Sequence, residues 1–139
     1  MGHHVLQTFR PSFDTIWRMI EFKRIDHLQI CVPLDGEEIA RKFYVDLLQL
    51  SEIEKPEYLK SNGGFWLKIA GIELHIGLEP VTGKSKRHPA FVISDLAEAK
   101  KYLLENDVPI KEDPPIPGYK RFSFYDPFDN RIELLEEIL

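Results

Sequence analysis

The sequence predicts an α+β protein made of two tandem units, each a strand, a helix and then further strands. Three observations predict it. Apolar residues alternate with a period of two in "IDHLQICV" (25–32), and a second strand-like run, "HPAFVIS" (88–94), opens the later half. Each run is followed by helical apolar spacing that begins with an Asp and a Glu three positions apart. Each unit then carries the tripeptide Ile-Glu-Leu within a hairpin, as Ile72-Glu73-Leu74 and as Ile132-Glu133-Leu134. Self-similarity at this scale outranks local signals when a fold is read.

In the first unit Leu28, Ile30 and Val32 mark one face of a strand, and Asp35 with Glu38 marks a helix start. Ile39, Phe43, Leu47 and Leu50 recur at helical spacing, which predicts an amphipathic helix over 36–48 packed on a sheet. Beyond Pro56, strands are expected at 64–70 and 72–78, joined by a tight turn at Ala70-Gly71. The polar run "VTGKSKR" (81–87) reads as a linker. In the second unit a strand (88–94) precedes a helix (95–107), with Asp95 and Glu98 at capping spacing. The proline-rich stretch from Val108 to Lys120 reads as irregular, and a hairpin over 121–137 turns around Asp126-Pro127 and Asp129-Asn130.

Composition bounds the function. The 139 residues suffice for one compact domain with a core, and 43% hydrophobic with 29% charged residues is ordinary for a globular protein. A net charge of −5 leaves no basic footprint, so neither nucleic acid nor an anionic membrane is an expected partner. Cys31 is the single cysteine, which excludes an intrachain disulfide and suits a reducing cytosol. No run reaches the roughly 18 apolar residues of a membrane span. Residues 1–21 read as an N-terminal extension in which Pro11 interrupts any amphipathic helix, and His3 and His4 are given no role.

The chemistry-bearing residues fall in register between the units. From His27 to Glu73 is 73 − 27 = 46 positions, and from His88 to Glu133 is 133 − 88 = 45. Strand alternation puts His27 and Gln29 opposite Leu28 and Ile30, and Glu73 and His75 opposite Ile72, Leu74 and Ile76. Glu133 likewise lies opposite Ile132 and Leu134. A sheet face holding three imidazoles and two carboxylates is costly unless the groups serve one another or a cation. Neutral imidazoles with carboxylates suit one borderline divalent ion, Zn, Ni, Co, Mn or Fe. Each residue alone has a blander reading: a hydrogen-bonded strand histidine, or a glutamate on a solvated sheet face.

The tandem units, "IDHLQICV" with "FYVDLLQL" downstream, "HPAFVISDLAEA" and above all "YDPFDNRIELLE" resemble the vicinal oxygen chelate superfamily. This group contains glyoxalase I, fosfomycin-resistance thiol transferases, extradiol dioxygenases and bleomycin-resistance proteins. The resemblance implies one domain over 22–137, with module one at 22–80, linker 81–87 and module two at 88–137. It implies paired βαβββ modules curling into a cup-shaped open barrel, a homodimer, and one divalent metal per subunit on the cup floor. Matched by position, His27, His88 and Glu133 fall on the two-histidine, one-carboxylate ligand set. Glu73 falls on the fourth ligand of the glyoxalase type, with His75 as the alternative. Asp129 stands where the family's turn has glycine, and Gln49-Leu50 replaces a common glycine after the first helix.

What the resemblance implies in function is a metal-dependent lyase, isomerase or dioxygenase acting on a small oxygenated metabolite, with Glu133 or Glu73 as general base. The rival is a non-catalytic, bleomycin-resistance-like binding protein. Gln29, Trp66, Lys68, Tyr119, Arg121, Ser123 and Tyr125 are candidates to line the cup, and Arg121 is the candidate for an anionic substrate group.

Overall fold

The computed structural model describes residues 19–80 and 83–139. The extension expected over 1–21 lies mostly outside them, as do two positions of the expected linker. The chain runs β1 (His27–Val32), α1 (Glu37–Arg41, continuing as a π-helical stretch Lys42–Leu47), β2 (Glu52–Ile53), β3 (Phe65–Ile69) and β4 (Ile72–Leu78). It repeats as β5 (Ala90–Val92), α2 (Leu96–Glu105), β6 (Ile110–Glu112), β7 (Tyr119–Tyr125) and β8 (Arg131–Glu137). Each βαβββ unit forms its own four-stranded mixed sheet, in the orders β1-β4-β3-β2 and β5-β8-β7-β6. The opening strand of each unit is parallel to its last strand, and both β1 and β5 are edges.

The core sits on the aliphatic faces of the sheets. Ile30, Val32, Leu67, Leu74 and Ile76 from the first meet Phe122, Phe124 and Ile132 from the second, with Ala40, Phe43, Tyr44, Leu96 and Leu103 from the helices. Phe43 and Phe124 bring the two units together at a ring separation of 6.2 Å. Polar cross-links reinforce this: the Tyr102 hydroxyl donates to the Leu47 carbonyl at 2.7 Å, and the Asn130 amide donates to the Cys31 carbonyl at 3.0 Å.

The structure corrects the reading of the first helix. Its N-cap is Gly36, with no side-chain capping bond, so the Asp35–Glu38 pair caps nothing. Glu37 supplies the local acid instead, accepting from the Gly64 N–H at 2.9 Å and from Arg41. After Arg41 the helix widens, and the Leu48 N–H reaches five residues back to the Phe43 carbonyl at 2.9 Å. Within that stretch Tyr44 is fully buried, and Ile39, before it and expected in the core, is 52% exposed. The chain leaves the helix through Gln49 at φ 61, and the β7–β8 turn passes through Asp129 at φ 68. Both positions where the family favours glycine are therefore left-handed.

The second helix follows the prediction, with Asp95 Oδ1 accepting from the Glu98 N–H at 3.0 Å. Its start is also held from the sheet, where Glu136 accepts from the Leu96 N–H at 2.8 Å. Strands β2 and β6 have no counterpart in the sequence reading, and the run expected as a strand from His88 is regular only at Ala90–Val92. Gly64 is required where it stands: a Cβ there would lie 2.1 Å from the Ile76 carbonyl oxygen.

Candidate functional site

The first set of site residues is built across β1, β4 and β3. His27 lies opposite Glu73, Gln29 opposite His75, and Trp66 opposite His75 on its other side. The pleat puts all five on the face away from the core. The His75 ring, 7% exposed, is held flat between Trp66 (centroids 3.9 Å apart, planes at 1°) and His27 (4.0 Å, 15°). Its Nε2 lies 2.9 Å from Glu73 Oε1.

His27 is oriented from behind. Its Nδ1 is 3.0 Å from Asp26 Oδ2, and the hydrogen bond from His27, helped by Arg24, holds the Asp26 carboxyl below the usual range. An ionised carboxylate only accepts, so the proton sits on Nδ1 and the Nε2 lone pair is presented outward. Asp26 escaped the sequence reading, although its place beside His27 in "IDHL" was the available signal.

The second set lies where β5 meets β8 and β7. His88 Nε2 is 3.0 Å from Glu133 Oε1, and Arg121 Nη1 donates to Glu133 Oε2 at 3.0 Å. Nδ1 of His88 is 2.9 Å from the Lys86 carbonyl oxygen, an obligate acceptor, so this ring too turns Nε2 toward the site. Glu133 is only 5% exposed, and the Arg121 guanidinium is the donor that keeps a carboxylate there. Arg121 also donates from Nε to the Pro114 carbonyl at 2.8 Å, fastening the 113–118 loop over the sheet. The residue expected to meet an anionic substrate group also holds Glu133.

The near-equal spacings of 46 and 45 do not reflect equal register. The Glu73 N–H donates to the Asp26 carbonyl, and the Glu133 N–H to the Pro89 carbonyl. The position equivalent to His27 is therefore Ala90, which pairs with Glu133, while His88 stands two residues earlier. His88 reaches its glutamate through its side chain; His27 reaches Glu73 only through His75.

Of the other candidates, Arg121, Ser123 and Tyr125 do alternate opposite buried Phe122 and Phe124. Ser123 is fully buried, donating to Asp113 Oδ2 at 2.6 Å and accepting from Arg131 Nε at 3.0 Å, so it lines no cavity. Asp113 also takes Lys111 at 2.8 Å and Arg131 at 3.0 Å. Sequence alternation did not reveal this network, because Asp113 comes from the proline-rich stretch. Tyr125 lies beneath Lys84, 5.0 Å from its ring centroid. Tyr119 sits at the far end of β7 opposite Glu137, and Lys68 is exposed opposite Glu73. A cavity of about 440 Å³ runs along the open edge of β1, lined by Gln29, Cys31, Arg87, His88, Asn130 and Arg131 among others.

The donor chemistry suits a divalent ion: each set presents an imidazole Nε2 steadied through Nδ1, together with a carboxylate. The number within one chain does not, because among the described residues no three His, Cys, Asp or Glu side chains converge in a group able to hold a metal. The four expected ligands lie as two sets, one per module.

Structural comparison gives a glyoxalase family protein from Bacillus anthracis at 39% identity and a TM-score of 0.80, covering 87% of this chain and 100% of that one. A glyoxalase/dioxygenase from Nostoc punctiforme shares the fold at 23% identity and a TM-score of 0.72, over 92% of this chain and 100% of that one. So does a mutant of the fosfomycin resistance protein FosX from Listeria monocytogenes, complexed with Mn(II) and 1S,2S-dihydroxypropylphosphonic acid. It has 21% identity and a TM-score of 0.71, over 86% and 95% of the two chains. No curated protein matches the chain. Residues 24–134 match the Glyoxalase/Bleomycin resistance protein/Dioxygenase superfamily, and with the repeated βαβββ sheets this establishes that the chain belongs to that superfamily.

Proposed function

We propose that the protein is a divalent-metal-dependent enzyme of the glyoxalase/dioxygenase type, acting on a small oxygenated metabolite. Its site would be assembled between two copies of the chain. His27 and Glu73 come from one protomer, and His88 and Glu133 from its partner. The observation that carries this reading is the pair of complementary sets, each with an imidazole steadied from behind and a carboxylate, and neither sufficient alone. Homodimerisation is further supported by the two open strand edges, β1 and β5, with apolar Ile25 and Val92 exposed beside them at 61% and 54%. The Mn(II) and the dihydroxypropylphosphonic acid in the FosX structure are consistent with a metal and a substrate bearing neighbouring oxygens.

A bound ion would supply Lewis acidity toward those substrate oxygens. The chain's own residues divide the remaining work. Glu133, held through Oε2 by Arg121 with Oε1 facing His88 Nε2, is the fixed ligand. Glu73, held through one oxygen by His75, has its second oxygen unpartnered among the described residues and is the better general base. Gln29 and Trp66, flanking His75 on the same face, form the adjoining wall for substrate.

Elemental analysis of tag-free protein beside Glu133→Ala tests the reading. About one transition metal per chain in the wild type, lost in the variant, supports it; iron would direct the search toward oxygen chemistry. A wild type that stays empty when metal is offered overturns it. The second reading, non-catalytic sequestration of a small molecule, would then stand; it is favoured by the 440 Å³ cavity and by the lack of a three-donor group within one chain.

A further inference from the structure

We infer that His75 is neither a metal ligand nor an acid–base group but the positioning residue of the first-module site. This rests on the metal-site reading above. His75 alone touches both expected ligands of its module, stacking on the His27 ring at 4.0 Å and meeting Glu73 Oε1 at 2.9 Å through Nε2. Trp66 covers its other face at 3.9 Å with the planes parallel to 1°. A ring stacked on both faces and 7% exposed is held in one plane and little reached by solvent, which suits it to orienting its neighbours. Among the described residues no backbone acceptor takes its Nδ1 proton as the Lys86 carbonyl takes that of His88, so His75 Nε2 is the donor to Glu73 and offers no lone pair to an ion.

The arrangement has the logic of an outer-sphere partner. A ligand carboxylate needs one oxygen tethered so that the other points at the ion, and Glu73, half-buried, has no other side-chain partner among the described residues. In the second module the tether for Glu133 is the Arg121 guanidinium, itself fixed to the Pro114 carbonyl. Both modules therefore use an immobilised donor behind the glutamate, supplied by different residue types from different strands. The stack also fixes the plane of His27, whose Nδ1 is already tied to Asp26.

The test uses two substitutions that separate the two contacts. His75→Phe keeps a flat ring between Trp66 and His27 but cannot bond Glu73. His75→Gln keeps an N–H near the Nε2 position but loses the stack. Both are compared with wild type and Glu73→Ala by Co(II) titration, reading affinity and the visible d–d spectrum. A positioning role predicts that both His75 variants keep the wild-type band positions while binding Co(II) about 10- to 100-fold more weakly, as outer-sphere losses do. Glu73→Ala should alter the bands themselves. His75 variants whose bands change as in Glu73→Ala would make His75 a ligand and overturn the inference. Wild-type affinity in both would overturn it as well, by leaving His75 no work at the site. If wild type binds no Co(II), the metal-site reading falls first and takes this inference with it, so the two failures are distinguishable.

Discussion

The phenol of Tyr44 donates a 2.7 Å hydrogen bond to Asp126 Oδ2, joining the first helix to the β7–β8 turn, with Tyr44 wholly buried and Asp126 3% exposed. The same carboxylate also accepts from the Phe128 and Asn130 N–H groups and from the Asn130 amide. The Asp-Pro-Phe-Asp-Asn motif therefore serves as a cross-link between halves.

Removing that link should be felt in stability. Tyr44→Phe leaves Asp126 with three donors and should cost about 1–2 kcal/mol in denaturant titration at neutral pH. Burial, then the neighbouring Asp126 charge, pushes the phenol well above its usual value. A raised folded value stabilises fully below the unfolded value near 10, and that stability is lost as pH rises further. Wild type should weaken more steeply than Tyr44→Phe in melts taken above about pH 10. Parallel curves would show that the bond carries no such linkage.

Asp113 predicts the opposite limb. Burial pushes its carboxyl up, but hydrogen bonds from Lys111 and Ser123 and the charge of Arg131 outweigh it and hold the group below the usual range. A depressed folded value stabilises above the unfolded value, and the contribution disappears as pH falls through the folded one. Asp113→Asn should cost about 3 kcal/mol at pH 7, and the gap to wild type should narrow in melts carried below about pH 4. An equally large gap at low pH would sink the assignment.

Gln49 offers a gain. It is exposed and sits at φ 61, a conformation costing a side-chain-bearing residue about 1 kcal/mol. Gln49→Gly should raise the melting temperature by about 3 °C. No change or a fall would show that the strain is absorbed elsewhere.

Much of the fold was legible because alternation and capping are local. The period-two runs located β1, β4, β7 and β8, and Asp95 capped the helix it was expected to cap. What escaped was decided at long range. Strands β2 and β6 are edge pieces of two and three residues, too short to show a period. Tyr44 joined Phe43 in the core because the π-helical widening from Lys42 breaks the 3.6-residue period on which the reading relied. Within the candidate site, the residue types and their common face could be read from spacing. The two-residue register offset between His27 and His88 could not, since it depends on which carbonyl the partner strand selects. The clamping of His75 depends on Trp66, which lies on a different strand.

The separation of the donors into one set per module bears on how damaged copies interact. A chain bearing His27→Ala retains its second-module set, and a chain bearing His88→Ala retains its first. Each homodimer should be metal-poor. With the site shared between two copies as proposed, a heterodimer of the two would pair one intact first-module set with one intact second-module set and so rebuild one of its two sites. Randomly exchanged equal mixtures should recover about a quarter of the wild-type metal content, as two-fold symmetry requires. Two defective alleles of this chain would then rescue each other inside one cell, while either alone would be silent.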